Sequence, residues 1–95
     1  MYGLKDDLLK AIVQLAERHG LRQLILFGSR ARGDYKERSD IDLAAEGGDI
    51  TAFALDVDEK IPTLLMFDVV DLSMPIQVEL RQNITRDGKV LYEKI

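Results

Sequence analysis

The chain has no cysteine, a single histidine and no long apolar run. Without cysteine it can form neither a disulfide nor a thiolate metal site. No apolar stretch approaches the roughly 18–20 residues that span a bilayer. The N-terminal sequence MYGLKDDLLKAIV carries two aspartates where a secretory signal needs a basic patch. We therefore expect a cytoplasmic protein that does not enter a membrane.

Basic residues are also in deficit, since 13 Lys and Arg face 17 Asp and Glu for a net charge of −4. A protein that coats DNA or RNA needs a basic surface, so we expect no direct nucleic-acid binding. One segment is locally positive, with Arg30, Arg32, Lys36 and Arg38 against Asp34 and Glu37. A small basic loop in an acidic chain suits a single polyphosphate.

The length of 95 residues and an apolar content of 46% predict one folded domain over residues 1–95. Apolar periodicity predicts helices over Leu4–His19, Asp49–Ile61 and Ser73–Ile84, strands over Leu24–Phe27, Ile41–Ala45, Leu64–Leu72 and Val90–Tyr92, and a helical turn over Ser29–Gly33. This alternation indicates an α/β (α+β) structure with helices layered on a small sheet. The only histidine, His19, is expected near the C-terminus of the first helix.

The segment LFGSRARGDYKERSDIDLA contains two aspartates in alternate positions, Asp40 and Asp42. On a strand they point the same way, about 6–7 Å apart along the chain. Unpaired they would repel each other, and Mg²⁺ or Mn²⁺ relieves the repulsion because hard cations prefer carboxylate oxygen. Alone, Asp-x-Asp is a weak signal, since glycosyltransferases, some phosphohydrolases and many ordinary surface strands carry it.

Gly28 and Ser29 follow a strand that is predicted to be buried, and this position favours phosphate binding next to the two aspartates. Glycine lets the backbone turn and lets a ligand approach the main chain. The serine hydroxyl, nearby backbone N–H groups and the dipole of the helical turn can then favour phosphate. Arg32 lies one turn further on and can reach the same anion. The alternative for Arg32 is a solvated side chain or an ion pair with Asp34.

A third carboxylate is expected near the first two, because nucleotidyl transfer needs a base for the attacking hydroxyl. Asp68 lies inside an apolar run, where an unpaired charge is costly. Asp71 is expected instead to be a strand-end or helix-entry residue. Arg30 and Lys36 are both expected to be solvated charges.

Together, the Gly-Ser pair, ten intervening residues, Asp-x-Asp and Asp68 on a later strand resemble the DNA polymerase β-like nucleotidyltransferase superfamily. The sequence GSRARGDYKERSDIDLA is most similar to its smallest branch, the minimal nucleotidyltransferases, and the tail GKVLYE is similar to their usual ending. The resemblance implies a nucleotidyltransferase fold, with a small mixed sheet flanked by helices in the order αβ(α)βαβαβ.

The resemblance also implies roles for six residues. Asp40 and Asp42 would bind Mg²⁺ or Mn²⁺, and Asp68 would bridge metal or act as the base. The β- and γ-phosphates of a nucleoside triphosphate, expected to be ATP, would be held by Gly28, Ser29 and Arg32. An acceptor hydroxyl would attack the α-phosphate and release pyrophosphate.

Family members of this size commonly act as antitoxins of a helical HEPN protein, some by transferring AMP to a tyrosine of that partner. The resemblance therefore implies a HEPN-type partner, and a homo-oligomer is possible. The alternative is a non-catalytic antitoxin that neutralises its partner by contact. A hydrolase or glycosyltransferase that uses Asp-x-Asp is disfavoured, because it has no need of the upstream Gly-Ser.

Overall fold

The structure is a computed structural model that describes residues 1–95. Its helices are α1 (Asp6–Arg18), α2 (Gly28–Arg32), α3 (Ile50–Lys60) and α4 (Val78–Asp87), and its strands are β1 (Gln23–Phe27), β2 (Ile41–Glu46), β3 (Phe67–Asp71) and β4 (Lys89–Glu93). This order confirms the expected fold class and element order. None of the helices has the length and apolar character needed to traverse a bilayer.

The four strands form one mixed sheet in the order β3-β2-β1-β4. β1 runs antiparallel to both of its neighbours, β2 and β4, whereas β2 and β3 are parallel. A parallel pair needs a crossover connection, which α3 provides. These directions bring the C-terminal end of β1 beside the N-terminal ends of β2 and β3. We call this the acidic end of the sheet, defined by the aligned residues Phe27, Asp42 and Asp68.

Helices cover both faces of the sheet. The larger core packs α1 and α3 against one face, and its fully buried side chains include Ile12, Leu24, Leu26, Leu43, Phe53 and Val57. A smaller cluster of Phe27, Ala44 and Ile84 packs α4 against the other face. Because side chains alternate along β2, Asp42 lies on the same face as Ala44, the face that α4 covers.

Local signals set the ends of α1 and α3 as the sequence predicts. Oδ1 of Asp49 accepts a hydrogen bond from the backbone N–H of Ala52 at 3.1 Å and so caps α3. α1 ends before His19 and Gly20, and Gly20 has a φ of 68°, which glycine adopts readily. The ends of both helices agree with the prediction to within about two residues.

Two elements begin later than predicted. β3 starts at Phe67 rather than at Leu64, and α4 starts at Val78 rather than near Ser73. The reason for the late start of α4 is a side-chain turn, in which Oδ1 of Asp71 accepts hydrogen bonds from the backbone N–H and the hydroxyl of Ser73, at 2.9 and 2.6 Å. Such bonds compete with helix formation. Asp71 is therefore a strand-end residue, as predicted.

Candidate functional site

Gly28 makes the turn that leaves β1 at the acidic end of the sheet. Its φ is 74°, a conformation that glycine tolerates and other residues rarely adopt. A Cβ atom at this position would overlap Oδ2 of Asp42. The turn between Gly28 and Ser29 therefore lies directly against the carboxylate of Asp42, which brings the two halves of the sequence motif into contact.

Asp42 and Asp68 are paired across the parallel strands β2 and β3. Neighbouring strands lie about 4.8 Å apart, so the two side chains project from adjacent positions on one face. Asp40 immediately precedes β2. The backbone N–H of Ile41 donates to the carbonyl of Met66 at 2.8 Å, which ties the start of β2 to β3. All three aspartates thus lie at the acidic end of the sheet.

The pKa of Asp42 is raised above its ordinary value. Burial is the largest cause, followed by the negative charge of Asp68 and then that of Asp40, whereas the positive charge of Arg32 lowers it. Asp68 and Asp40 are therefore each close enough to Asp42 to repel its charge.

This donor set suits a cation that binds together with a phosphate. The structure contains no group of three histidine, cysteine, aspartate or glutamate side chains arranged to hold a metal ion by itself. Mg²⁺, however, is usually bound by one or two carboxylates plus substrate phosphates and waters. Asp42 provides a carboxylate against the half-buried turn at Gly28, and Asp68 provides a second carboxylate from the neighbouring strand. Binding of a metal by all three aspartates remains a prediction.

Asp68 is not buried, although its neighbours in the sequence are apolar. Asp68 is exposed, because β3 is an edge strand of the sheet. The expectation that its charge lies in an apolar environment is therefore wrong. What distinguishes Asp68 is its alignment with Asp42, a relationship that depends on strand register.

Arg32 is exposed at the end of α2 and makes two long contacts with carboxylates. Its Nε lies 3.4 Å from Oδ2 of Asp34, and its Nη1 lies 3.9 Å from Oδ2 of Asp87. The first contact matches the alternative interpretation of an ion pair with Asp34. The exposed pair with Asp34 contributes about 0–1 kcal/mol, and the 3.9 Å contact with Asp87 is too long for a hydrogen bond, so neither fixes the side chain of Arg32.

The expectation for Arg30 is also wrong, since this side chain is buried rather than solvated. It is 1% exposed and is the only charged residue in the interior. Its guanidinium group donates to the backbone carbonyls of Tyr2, Glu37 and Ser39. These partners are main-chain groups brought together by the fold, so no spacing of charges in the sequence points to them. Lys36 is exposed, as predicted.

An apolar groove of about 380 Å³ lies between α1 and β4, away from the acidic end of the sheet. Its lining consists of Met1, Tyr2, Leu9, Lys10, Val13, Gln14, Val90 and Leu91. It holds no carboxylate to bind a cation. The groove and the candidate site are therefore separate features.

The sequence was compared with protein-family models and with the sequences of known proteins. The family model described as "Polymerase beta, Nucleotidyltransferase" matches residues 10–95. A relative from Methanocaldococcus jannaschii, provisionally named protein adenylyltransferase MJ0604, is 36% identical. That match covers 76% of this chain and 79% of the relative.

Solved structures share the fold. A crystal structure of a toxin–antitoxin with AMP-PNP has a TM-score of 0.72 at 26% identity, covering 90% of this chain and 73% of that chain. A structure provisionally described as a minimal nucleotidyltransferase has a TM-score of 0.65 at 26% identity, covering 85% of this chain and 86% of that chain. The likeness thus extends over most of each chain.

Proposed function

The chain belongs to the polymerase β nucleotidyltransferase family, and we propose that it transfers AMP from ATP to a hydroxyl group of a partner protein, using Mg²⁺ or Mn²⁺. The family match makes it a nucleotidyltransferase. A protein acceptor is favoured because the relative from M. jannaschii carries the name of a protein adenylyltransferase.

One observation carries the proposal: the turn at Gly28 touches the carboxylate of Asp42, which is itself aligned with Asp68. A nucleoside triphosphate needs donors for its phosphate oxygens and a cation to offset their charge. A glycine turn and adjacent carboxylates meet both needs within one small surface. Without a cation the same carboxylates only repel one another, and that repulsion contributes to the raised pKa of Asp42.

In the proposed reaction, an acceptor hydroxyl oxygen attacks the α-phosphorus of ATP. A new oxygen–phosphorus bond forms, the bond from the α-phosphorus to the α–β bridging oxygen breaks, and pyrophosphate leaves. Asp68 takes the proton of the hydroxyl, since it is exposed to an incoming acceptor and adjacent to Asp42. A divalent cation held by Asp40 and Asp42, with Asp68, would stabilise charge that develops on the phosphate oxygens.

Gly28, Ser29 and Arg32 would hold the β- and γ-phosphates. Gly28 allows close approach to the main chain, and the hydroxyl of Ser29 donates a hydrogen bond. Arg32 would exchange its long contacts with Asp34 and Asp87 for charge-assisted hydrogen bonds to phosphate, which are shorter and stronger.

The proposed partner is a helical toxin of the HEPN type, with this chain as its antitoxin and a tyrosine hydroxyl as the acceptor. Support comes from the sequence resemblance and from the similar fold of a toxin–antitoxin that was crystallised with AMP-PNP. That structure covers 90% of this chain.

The test is transfer of label from ATP to the proposed HEPN-type partner protein, in the presence of Mg²⁺. Label on the α-phosphate should appear on that protein, whereas label on the γ-phosphate should appear only in pyrophosphate. Asp42→Asn should abolish the transfer. Asp58→Asn makes the same chemical change on the exposed surface of α3 and should leave it unchanged.

The outcome also separates catalysis from inhibition by contact. If wild-type protein never transfers label, and Asp42→Asn neutralises the partner as well as wild type does, the chain acts by contact alone. Transfer of the γ-label would instead identify a phosphotransferase and contradict the proposal.

A further inference from the structure

Arg30 joins the N-terminal turn to the loop of residues 33–40, which precedes β2. Its Nε donates to the carbonyl of Ser39 at 3.0 Å, Nη1 donates to that of Tyr2 at 3.0 Å, and Nη2 donates to that of Glu37 at 3.1 Å. Its guanidinium carbon lies 5.2 Å from the ring centroid of Tyr35, within the range of a cation–π contact. A buried guanidinium without a carboxylate partner is costly, so these carbonyl dipoles and the ring must stabilise it.

The contact with Ser39 acts directly on Asp40. The carbonyl of Ser39 belongs to the planar peptide unit that ends at the Cα of Asp40. On the other side of Asp40, the N–H of Ile41 is held by the carbonyl of Met66 at 2.8 Å. Asp40 is therefore fixed from both sides, by β3 after it and by Arg30 before it.

The loop has little else to hold it in place. Its internal hydrogen bonds are local, from Ser39 N–H to the carbonyl of Lys36 at 3.0 Å and from Lys36 N–H to Oγ of Ser39 at 2.7 Å. These bonds set the shape of the turn but do not attach it to the rest of the molecule. Arg30 makes the hydrogen bonds that attach it, to Glu37 and Ser39, and the ring of Tyr35 adds packing against Arg30 and Gly3.

The N-terminal turn packs against the same side chain. Tyr2 has a φ of 59°, which non-glycine residues rarely adopt, and its carbonyl is held by Arg30. Gly3 has a φ of 69°, and a Cβ atom there would overlap Cε2 of Tyr35 and would lie 2.8 Å from Cζ of Tyr35 and 2.9 Å from Nη1 of Arg30. Gly3 thus allows the turn to lie against both the ring of Tyr35 and the guanidinium group.

We propose that Arg30 is a positioning residue, which fixes Asp40 for metal binding by tying the peptide before it to the N-terminal turn. The inference rests on the proposed function, because it assigns Asp40 a cation. It extends that function by making the packing at Gly3, outside the sequence motif, a determinant of metal affinity. Arg30 itself touches neither nucleotide nor metal.

Two variants test the proposal. One changes the guanidinium group of Arg30, and the other changes the N-terminal turn that packs against this group. Arg30→Lys keeps the charge but loses the planar fork that reaches three carbonyls at once. Gly3→Ala keeps Arg30 and the whole motif but pushes on Nη1 and on the ring of Tyr35. Gly20→Ala is the matched control, since it has a similar φ of 68° and no atom within 4 Å of the added Cβ. If Arg30→Lys does not fold, Gly3→Ala still tests the contact.

The first measurement is amide hydrogen exchange of residues 36–40 in the free protein. The second is the Mn²⁺ concentration that half-saturates the site in the presence of ATP, read from the electron paramagnetic resonance signal of free Mn²⁺ after subtraction of the Mn²⁺ that ATP binds in a matched sample without protein. Both variants should exchange faster in residues 36–40 and should need about tenfold more Mn²⁺ than wild type, the order of loss typical when a supporting residue of a metal site is removed. Gly20→Ala should match wild type in both measurements.

Two different failures are distinguishable. If the variants exchange and bind Mn²⁺ as wild type does, or exchange faster with unchanged Mn²⁺ affinity, Arg30 does not position Asp40 and only this inference is overturned. If wild-type protein binds no Mn²⁺ with ATP, the proposed function fails and takes the metal role of Asp40 with it.

Discussion

Gly28 and Asp42 are in contact so close that no side chain can be added to Gly28 without displacing the carboxylate of Asp42. Gly28 belongs to the turn proposed to bind phosphate, and Asp42 belongs to the strand proposed to bind metal. The contact means that a ligand on one is necessarily beside the other. The two halves of the motif therefore form one site.

Gly28→Ala should abolish nucleotidyl transfer. Both the positive φ and the overlap with Asp42 oppose the new Cβ, so the turn or the carboxylate must move. Gly20→Ala has a similar φ of 68° with open space around the added atom. Both variants should lose on the order of 1–2 kcal/mol of unfolding free energy from backbone strain, measured by urea denaturation. Only Gly28→Ala should also lose activity, by at least about 100-fold, and equal activity in the two variants would argue against the contact.

Asp42→Asn should stabilise the metal-free protein while it abolishes activity. The pKa of Asp42 is raised by burial and by the charges of Asp68 and Asp40, so ionised Asp42 destabilises the folded state. Asparagine removes that charge and should raise the free energy of unfolding by less than about 1 kcal/mol, the scale for a partly exposed group.

The pH dependence of this gain follows from the direction of the shift. A raised pKa means that the folded protein holds the proton to higher pH than the unfolded chain does, so wild type loses stability as the pH rises through that range. The gain from Asp42→Asn should be full at neutral pH and should vanish below about pH 4, near the ordinary pKa. Urea denaturation across this range measures it, and an Asp42→Asn protein less stable than wild type at neutral pH would contradict the repulsion.

The pair of His19 and Asp56 should make the folded protein more stable as the pH rises from acid, which is opposite to the effect of Asp42. Nε2 of His19 lies 2.6 Å from Oδ2 of Asp56, joining the end of α1 to α3, and both side chains are 17% exposed. The hydrogen bond to His19, more than the charge of Lys60, lowers the pKa of Asp56. A lowered carboxyl pKa contributes stability above about pH 4 and loses it as the pH falls through the folded-state pKa.

Asp56→Asn should therefore be less stable than wild type at pH 7, and the difference should shrink in acid. Denaturation curves recorded from about pH 7 to pH 3 measure it. Asp58→Asn, an exposed position on the same helix, serves as the control and should show no such trend. A difference that is constant over the whole range would mean that the pair does not depend on the charge of Asp56.

Much of the fold could be predicted, because periodicity and caps are local. The alternation around Asp42 indicated its strand, and Asp49 marked the start of α3. The late start of α4 was missed because the turn that delays it uses a side-chain bond between Asp71 and Ser73, which competes with the helix.

The features that could not be predicted depend on which elements become neighbours. The apolar neighbours of Asp68 in the sequence indicate burial, but the order of strands leaves β3 at an edge and Asp68 exposed. Arg30 carries no sign of its role, since its partners are main-chain carbonyls of Tyr2, Glu37 and Ser39, which any residue type supplies. A pattern of side chains in the sequence therefore does not indicate a hydrogen-bond partner that is a main-chain group.

The most direct test of the account is to locate bound Mn²⁺ by its paramagnetic broadening of amide NMR signals. The protein would be titrated with Mn²⁺ in the presence of α,β-methylene-ATP, which cannot be cleaved between its α- and β-phosphates. If the proposed site binds the cation, the amides of Gly28, Ser29, Asp42 and Asp68 should broaden first, those of Gly20 and Gly48 at the opposite end of the sheet should stay sharp longest, and Asp42→Asn should abolish the effect. Broadening centred on another surface, or none at all, would contradict the account.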